Sequence, residues 1–198
     1  MIKAIIFDWF RVLTKENWSD CLMRELNQKY GLDKTIIKEA FNKYHQPFAR
    51  DIISSEEFLD KFIKTLKIKE DPKNFKYLFE KIPVLNNELF DLVLKLKKKY
   101  TVALFSNNFR PVFANYDVNL KKYFDEVFLS YELGLNKIHD EIWNIIIKKL
   151  TFEPSEILFV DDNDKYLHYA KNKGIKTIHF KDVEQLKKEL NLHGVDVE

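Results

Sequence analysis

Asp8 ends a short apolar run, Ala4-Ile5-Ile6-Phe7, and Asp161-Asp162 end a second one, Ile157-Leu158-Phe159-Val160. Continuous apolar runs of this length suit strands buried on both faces. Packing alone does not require such strands to deliver carboxylates at their carboxyl ends. In an open α/β sheet, ligands bind in the crevice outside those ends. Carboxylates clustered there can hold a hard cation such as magnesium, and one of them can act as a nucleophile. Adjacent Asp161 and Asp162 also repel each other unless a cation or a donor compensates them. The plainer reading of that pair is one carboxylate in solvent and one capping a helix from Asn163. Asp8 has a plainer reading too, as a helix cap. Against it, Trp9-Phe10-Arg11-Val12-Leu13 does not read as a helix start.

Other residues suit the same chemistry. Ser106 follows Val102-Ala103-Leu104-Phe105 and precedes Asn107-Asn108. A hydroxyl and backbone N–H groups at that place can hold a phosphate oxygen, although Ser-Asn-Asn alone reads as a turn. Lys137 lies beyond Gly134, ahead of a helical pattern. A lysine there can neutralise a nucleophile and a phosphoryl group together; taken singly it reads as a surface lysine. Tyr44-His45-Gln46-Pro47-Phe48 is expected in a loop between helices, where His45 can touch substrate or supply a proton.

These residues must be positioned by the surrounding elements. Strands are expected at 4–8, 101–105, 126–129, 157–160 and 175–178, with helical spacing between them, as in Leu89, Val93 and Leu96 and in Ile142, Ile145, Ile146 and Leu150. Gly174 is a natural left-handed stop for the helix from Asn163 to Lys173. Strands alternating with helices predict an α/β fold, a doubly wound, Rossmann-like parallel sheet with helices on both faces. The stretch from about Asn17 to Glu80 carries few strand signals and several helix starts: Asp33 before Lys34, Ser54 with Glu57 three residues on, and Asp71-Pro72. It is too long for one crossover. It is expected as a helical cap over 15–83, inserted in a core of 1–14 and 84–198.

The chain has 198 residues, enough for one core with a modest insertion. Its 33 basic and 31 acidic residues leave a net charge of +2, which favours neither nucleic acid nor a membrane surface as a partner. The run Lys95, Lys97, Lys98, Lys99 reads as the solvated end of a helix. Cys21 is the single cysteine, so no intrachain disulfide or thiolate metal cluster is possible. Met1-Ile2-Lys3 runs straight into a strand without the pattern of a secretory signal, and no apolar run approaches spanning length, so a reducing cytoplasm is the expected location.

Four segments occur in one order, each at a strand end or in the loop beyond: Ile5-Ile6-Phe7-Asp8, Leu104-Phe105-Ser106-Asn107, Glu132-Leu133-Gly134-Leu135-Asn136-Lys137, and Ile157-Leu158-Phe159-Val160-Asp161-Asp162-Asn163. That ordered set resembles the haloacid dehalogenase superfamily over nearly the whole chain. The resemblance implies that Asp8 attacks a substrate and forms a covalent aspartyl intermediate. It implies magnesium held by Asp8, the backbone carbonyl of Phe10 and Asp162, with Asp161 reached directly or through water. Ser106, the Asn107 amide and Lys137 would hold phosphoryl oxygens, with a small phosphate ester as substrate. The inserted helices resemble this family's small helical cap.

The first motif departs from the family at two positions. Phosphatases of the family usually carry a second aspartate, as general acid and base, where this chain has Phe10, and a glycine where it has Arg11. Loss of a general acid–base group costs about 10²–10⁴-fold in rate. An aromatic residue at that position resembles the dehalogenase branch, but Asp161-Asp162 favours a metal-dependent ancestry. The expectation is therefore a magnesium-dependent phosphatase, impaired at Phe10. A 2-haloacid dehalogenase and a non-catalytic binding protein are the alternatives.

Overall fold

The computed structural model describes residues 1–197; Glu198, the last residue of the expected core span, lies outside the described residues. Strands β1 (Ala4–Phe7), β2 (Thr101–Ser106), β3 (Glu126–Leu129), β4 (Ile157–Asp161) and β5 (Lys176–His179) form one sheet in the order β3-β2-β1-β4-β5. Every neighbouring pair is parallel. Period-two alternation sends Ile5, Phe7, Leu104 and Val160 to one face, and Ile6, Ala103, Phe105 and Phe159 to the other. Both faces are covered, which is why the central strands are unbroken apolar runs. The strand ends differ from expectation by a residue. Ser106 and Asp161 still pair, with Leu129 and His179, so they close β2 and β4 instead of following them.

Between Thr14 and Leu85, which meet in an isolated antiparallel bridge, the chain adds no strand to the sheet. It forms α1 (Trp18–Tyr30), α2 (Lys34–Phe48), α3 (Ser55–Thr65) and a 3-10 segment, Pro72–Glu80. The expected caps are made. Asp33 accepts from the Thr35 N–H at 2.7 Å, and Ser54 from the Glu57 N–H at 3.1 Å. Gly31 ends α1 in the left-handed region at φ +65°. Trp18 sits among Phe41, Phe48, Phe58, Phe79 and Phe109, with centroids 5.0–6.4 Å from its own. Phe109 lies beyond β2, so this aromatic cluster ties the insert to the rest of the chain. Tyr44–Phe48 is not a loop. It is the last turn of α2, where Pro47 forfeits only one backbone bond before the helix ends.

After the insert come α4 (Asn87–Leu96), α5 (Arg110–Phe113), α6 (Leu120–Tyr123), α7 (Ser130–Leu133), α8 (Asp140–Leu150), α9 (Asp164–Asn172) and α10 (Val183–Leu192). Leu89 and Val93 of α4 and Leu186 and Leu190 of α10 pack with the Phe7 face. Trp143 and Ile146 of α8 and Leu167 and Ala170 of α9 pack with the Phe159 face.

Candidate active site

The chain passes from β1 to β2 and β3 on one side, then returns to β4 on the other. The crevice beyond β1 and β4 is therefore the switch point of the sheet. Phe7 lies opposite Val160, and the Asp8 N–H donates to the Val160 carbonyl at 3.0 Å, so the two carboxyl ends are level. Asp8, Asp161 and Asp162 each offer one carboxylate oxygen within 4.8 Å of the others. Neither plainer reading holds. The Asp8 side chain caps no helix. α9 is capped by Asn163, whose Oδ1 accepts from the Lys165 N–H at 3.0 Å, while Asp161 is fully buried and accepts from the Asn163 N–H at 2.8 Å.

Lys137 reaches this cluster from the loop between α7 and α8. Gly134 ends α7 at φ +65° and lets the chain turn inward. The Lys137 N–H donates to Asn107 Oδ1 at 3.1 Å, and Trp143 Nε1 donates to the Lys137 carbonyl at 3.0 Å. These two bonds fix the backbone. Its ammonium is wholly buried, 2.5 Å from Asp8 Oδ1 and 2.6 Å from Asp161 Oδ2. The rings of Phe105, Phe159 and Tyr166 lie 5.2–5.4 Å from Nζ. Lys137 is thus no surface lysine.

Burial pushes Asp161 up to about 8, against the opposing charge of Lys137, and raises Asp8 in the same way. Asp162 is pushed up to about 6, by burial and then by the Asp8 charge. Burial alone would lower the Lys137 ammonium, but the two carboxylates outweigh it and leave its pKa raised. When all three carboxylates are ionised, the Lys137 ammonium and the Arg11 guanidinium, 3.9 Å from Asp162 and shared with Asp20, leave an excess of negative charge. A hard divalent cation with oxygen ligands fits that donor set in charge and in chemistry.

Arg11 lies in the turn Trp9–Leu13, with backbone in the left-handed region at φ +59°. The turn is held by the Thr14 N–H to the Trp9 carbonyl at 2.9 Å and the Arg11 N–H to Thr14 Oγ1 at 3.2 Å. The Arg11 guanidinium pairs with Asp20 of α1 at 3.0 Å and comes within 3.9 Å of Asp162.

A cavity of about 290 Å³ opens over the cluster. The structure brings Asp8, Phe10, Arg11, Asn107, Lys137 and Asp162 to its wall. Ser106 and Asp161 are fully buried and do not line it. The Ser106 hydroxyl and the Asn107 side-chain amide are buried without a partner. Such groups cost about 1–3 kcal/mol each unless something accepts from them. α1 and α2 complete the wall, with His45, Gln46, Asn42 and Lys38 on α2. Of the lining residues that sequence reasoning missed, Tyr166 had a signal: it lies one helical turn after Asp162. Asp20, Lys38 and Asn42 had none, because only tertiary packing turns their helices toward the crevice.

Comparison with known proteins agrees with this geometry. The family model for haloacid dehalogenase-like hydrolases matches residues 2–165. The chain belongs to that family of hydrolases. It is 28% identical to D-ribitol-5-phosphate phosphatase of Bacteroides thetaiotaomicron, over 89% of this chain and 91% of that protein. It is 26% identical to bifunctional epoxide hydrolase 2 of Sus scrofa over 96% of this chain, which spans only 38% of that longer protein. Its fold superposes on a HAD family enzyme from Bacteroides thetaiotaomicron, solved with magnesium and inorganic phosphate. The TM-score is 0.73 at 23% identity, covering 94% of this chain and 99% of the other. No helix among the described residues is long and apolar enough to cross a membrane.

Proposed function

We propose that this protein is a magnesium-dependent phosphatase acting on a small phosphorylated metabolite, with Asp8 as the nucleophile. The observation that carries the reading is the cluster itself: three carboxylates within 4.8 Å, with a buried lysine bonded to two of them, under a cavity of metabolite size. The phosphatase name of one relative and the magnesium and phosphate of the superposable enzyme support it.

Asp8, Asp162 and the Phe10 carbonyl would hold the magnesium ion, with Asp161 direct or through water. The ion would offset the charge that keeps an anionic nucleophile from an anionic phosphate. Lys137 favours the ionised Asp8 carboxylate against the effect of burial, holds it in place, and would place positive charge beside the phosphoryl group. The Asn107 side-chain amide, on the cavity wall, is suited to a phosphoryl oxygen, and the Ser106 hydroxyl lies buried behind that wall without a partner. Asp161 aligns Lys137 from behind. Residues 15–83 act as a helical cap on a core of 1–14 and 84–198, its α1 and α2 closing the cavity over the cluster.

Phe10 favours a second reading, a 2-haloacid dehalogenase, because halide departs without a proton. A screen of phosphorylated compounds and short haloacids, with and without magnesium, separates the two. Magnesium-dependent phosphate release that Asp8→Asn abolishes supports the first reading. Magnesium-independent halide release supports the second. Inactivity on both sets would leave a non-catalytic binding protein.

A further inference from the structure

The last turn of α2 and the residues after it grip α7 and the loop that leads from it to Lys137. At the start of α7, the Ser130 hydroxyl donates to the Ala49 carbonyl at 2.6 Å and accepts from the Asn108 N–H at 3.1 Å. At its end, Arg50 Nε donates to the Gly134 carbonyl at 2.7 Å. One residue before Lys137, Asn136 Nδ2 donates to the Gln46 side-chain oxygen. Asn136 is buried, and its Oδ1 accepts from the Ile138 N–H at 3.4 Å, which sets the orientation of the amide. Asp51 adds an ion pair to Arg110 of α5 at 2.7 Å.

α7 has four residues. A single helical turn does not hold itself in water, because nucleation fixes several residues for one hydrogen bond. Its last carbonyls have no partner within the helix, and Arg50 supplies one at Gly134. Lys137 itself is held through its backbone by Asn107 and Trp143. Gly134 and Asn136, just before it, are held from the other side of the crevice, by Arg50 and Gln46. The Lys137 ammonium must reach two carboxylates at once, at 2.5 and 2.6 Å, from a buried position. A shift of about 1 Å in the loop would break that double contact. Displacements of that size, caused by a residue away from the chemistry, can cost about 10²-fold in rate.

We propose that Gln46 and Arg50 are positioning residues for Lys137. From the inserted helices they set the loop Gly134–Asn136, so that the ammonium stays between Asp8 and Asp161. The inserted helices then serve the chemistry as well as enclosing the cavity. This role rests on the phosphatase reading, in which Lys137 serves the Asp8 nucleophile. Gln46 lies on the cavity wall, whereas Arg50 does not, so a loss of activity on removing Arg50 is not a lost contact with substrate. The plainer role of both contacts is to dock the inserted helices against the sheet.

The two roles differ in what they do to magnesium. An ammonium beside Asp8 and Asp161 repels a divalent ion that the same carboxylates would hold. If Gln46→Leu releases Lys137, magnesium should bind several-fold more tightly, although the substitution changes no charge. Titration calorimetry of the full chain with magnesium alone measures this, above about pH 8, where the cluster is ionised. Lys137→Met, which removes the ammonium outright, gives the upper limit of the gain. Loosened helices or partial unfolding would leave magnesium binding unchanged or weaker. The second measurement is hydrolysis of nitrophenyl phosphate. Arg50→Met should lower kcat between about 10- and 100-fold with KM little changed. Arg50→Lys, which keeps a charged donor for the Gly134 carbonyl, should recover most of that loss. Magnesium binding unchanged or weakened in Gln46→Leu, or a rise in KM alone in Arg50→Met, would assign the contacts to docking. Either result would overturn the inference and leave the phosphatase reading standing. A wild-type protein that neither binds magnesium nor releases phosphate would overturn both.

Discussion

Lys137 is the residue on which the site's electrostatics turn. It is the only cation bonded to Asp8 and Asp161 among the described residues, and all three side chains are buried. Removing one partner from a buried ionic cluster leaves uncompensated charge, at a cost of about 3–5 kcal/mol. Lys137→Met should therefore lower unfolding stability by that amount in urea titrations above about pH 8, where both carboxylates are ionised, with a chelator present, and magnesium should restore part of it. Equal stability of the two proteins would show that Asp8 and Asp161 are not both ionised. Phe10→Asp tests the neighbouring position. It should raise hydrolysis of phenyl phosphate, by restoring a group able to protonate the leaving oxygen, while doing little for dinitrophenyl phosphate. A wild-type rate on phenyl phosphate that the substitution leaves unchanged would refute the argument. Asp8, Asp161-Asp162 and Lys137 were legible in the sequence because each sits at a strand end or just past a glycine. His45 was legible only as a candidate. Its hydrogen bonds to Asn42 and Gln46 depend on the α2 turn, and they show where its proton points.

At the scale of elements, the turn Trp9–Leu13 is where sequence and backbone conflict. Arg11 occupies the left-handed region, which costs a residue with a side chain about 1 kcal/mol and glycine little. Its guanidinium gains an exposed pair with Asp20, a contact of about 0.2–1 kcal/mol. Arg11→Ala loses the pair and keeps the strain, so it should be destabilised. Arg11→Gly loses the pair and relieves the strain. In thermal unfolding the glycine variant should exceed the alanine variant by less than about 1 kcal/mol, because glycine's freer unfolded chain offsets part of the relief. The reverse order would mean that the left-handed turn is not populated in solution. The absence of a helix start after Asp8 was readable from Trp9-Phe10-Arg11, but the wide turn was not, because no local pattern specifies it. The caps of α2 and α3 were readable because Asp33 and Ser54 act within three residues of themselves. The last turn of α2 was misread as a loop because Pro47 suggests a break, whereas near a helix end it removes a single bond.

For the whole molecule, a net charge of +2 conceals a concentrated acidic site, and stability should depend on pH through it. Asp161 and Asp162 have folded-state values of about 8 and about 6, both above the ordinary carboxylate value of 3.8. Between that value and the folded one, the native state binds more protons than the unfolded chain. By linkage, their contribution to stability falls as pH rises from about 4 toward 8. His45 works in the opposite sense. Its lowered value means that the unfolded chain binds more protons just below pH 6.5, so its contribution rises with pH. The pH dependence of one melting curve would therefore mix the two. The difference between melting temperatures with magnesium and with a chelator removes the histidine, which is not among the carboxylates that would hold the ion. Magnesium must displace any proton from the carboxylates that bind it, so its stabilisation is smallest where they are protonated. The difference should be small at pH 5 and grow steadily to pH 8. Thermal unfolding at a fixed magnesium concentration across that range measures it. A difference that does not change with pH would mean that the three carboxylates are already ionised at pH 5, and the assignment of raised values to this cluster would be wrong.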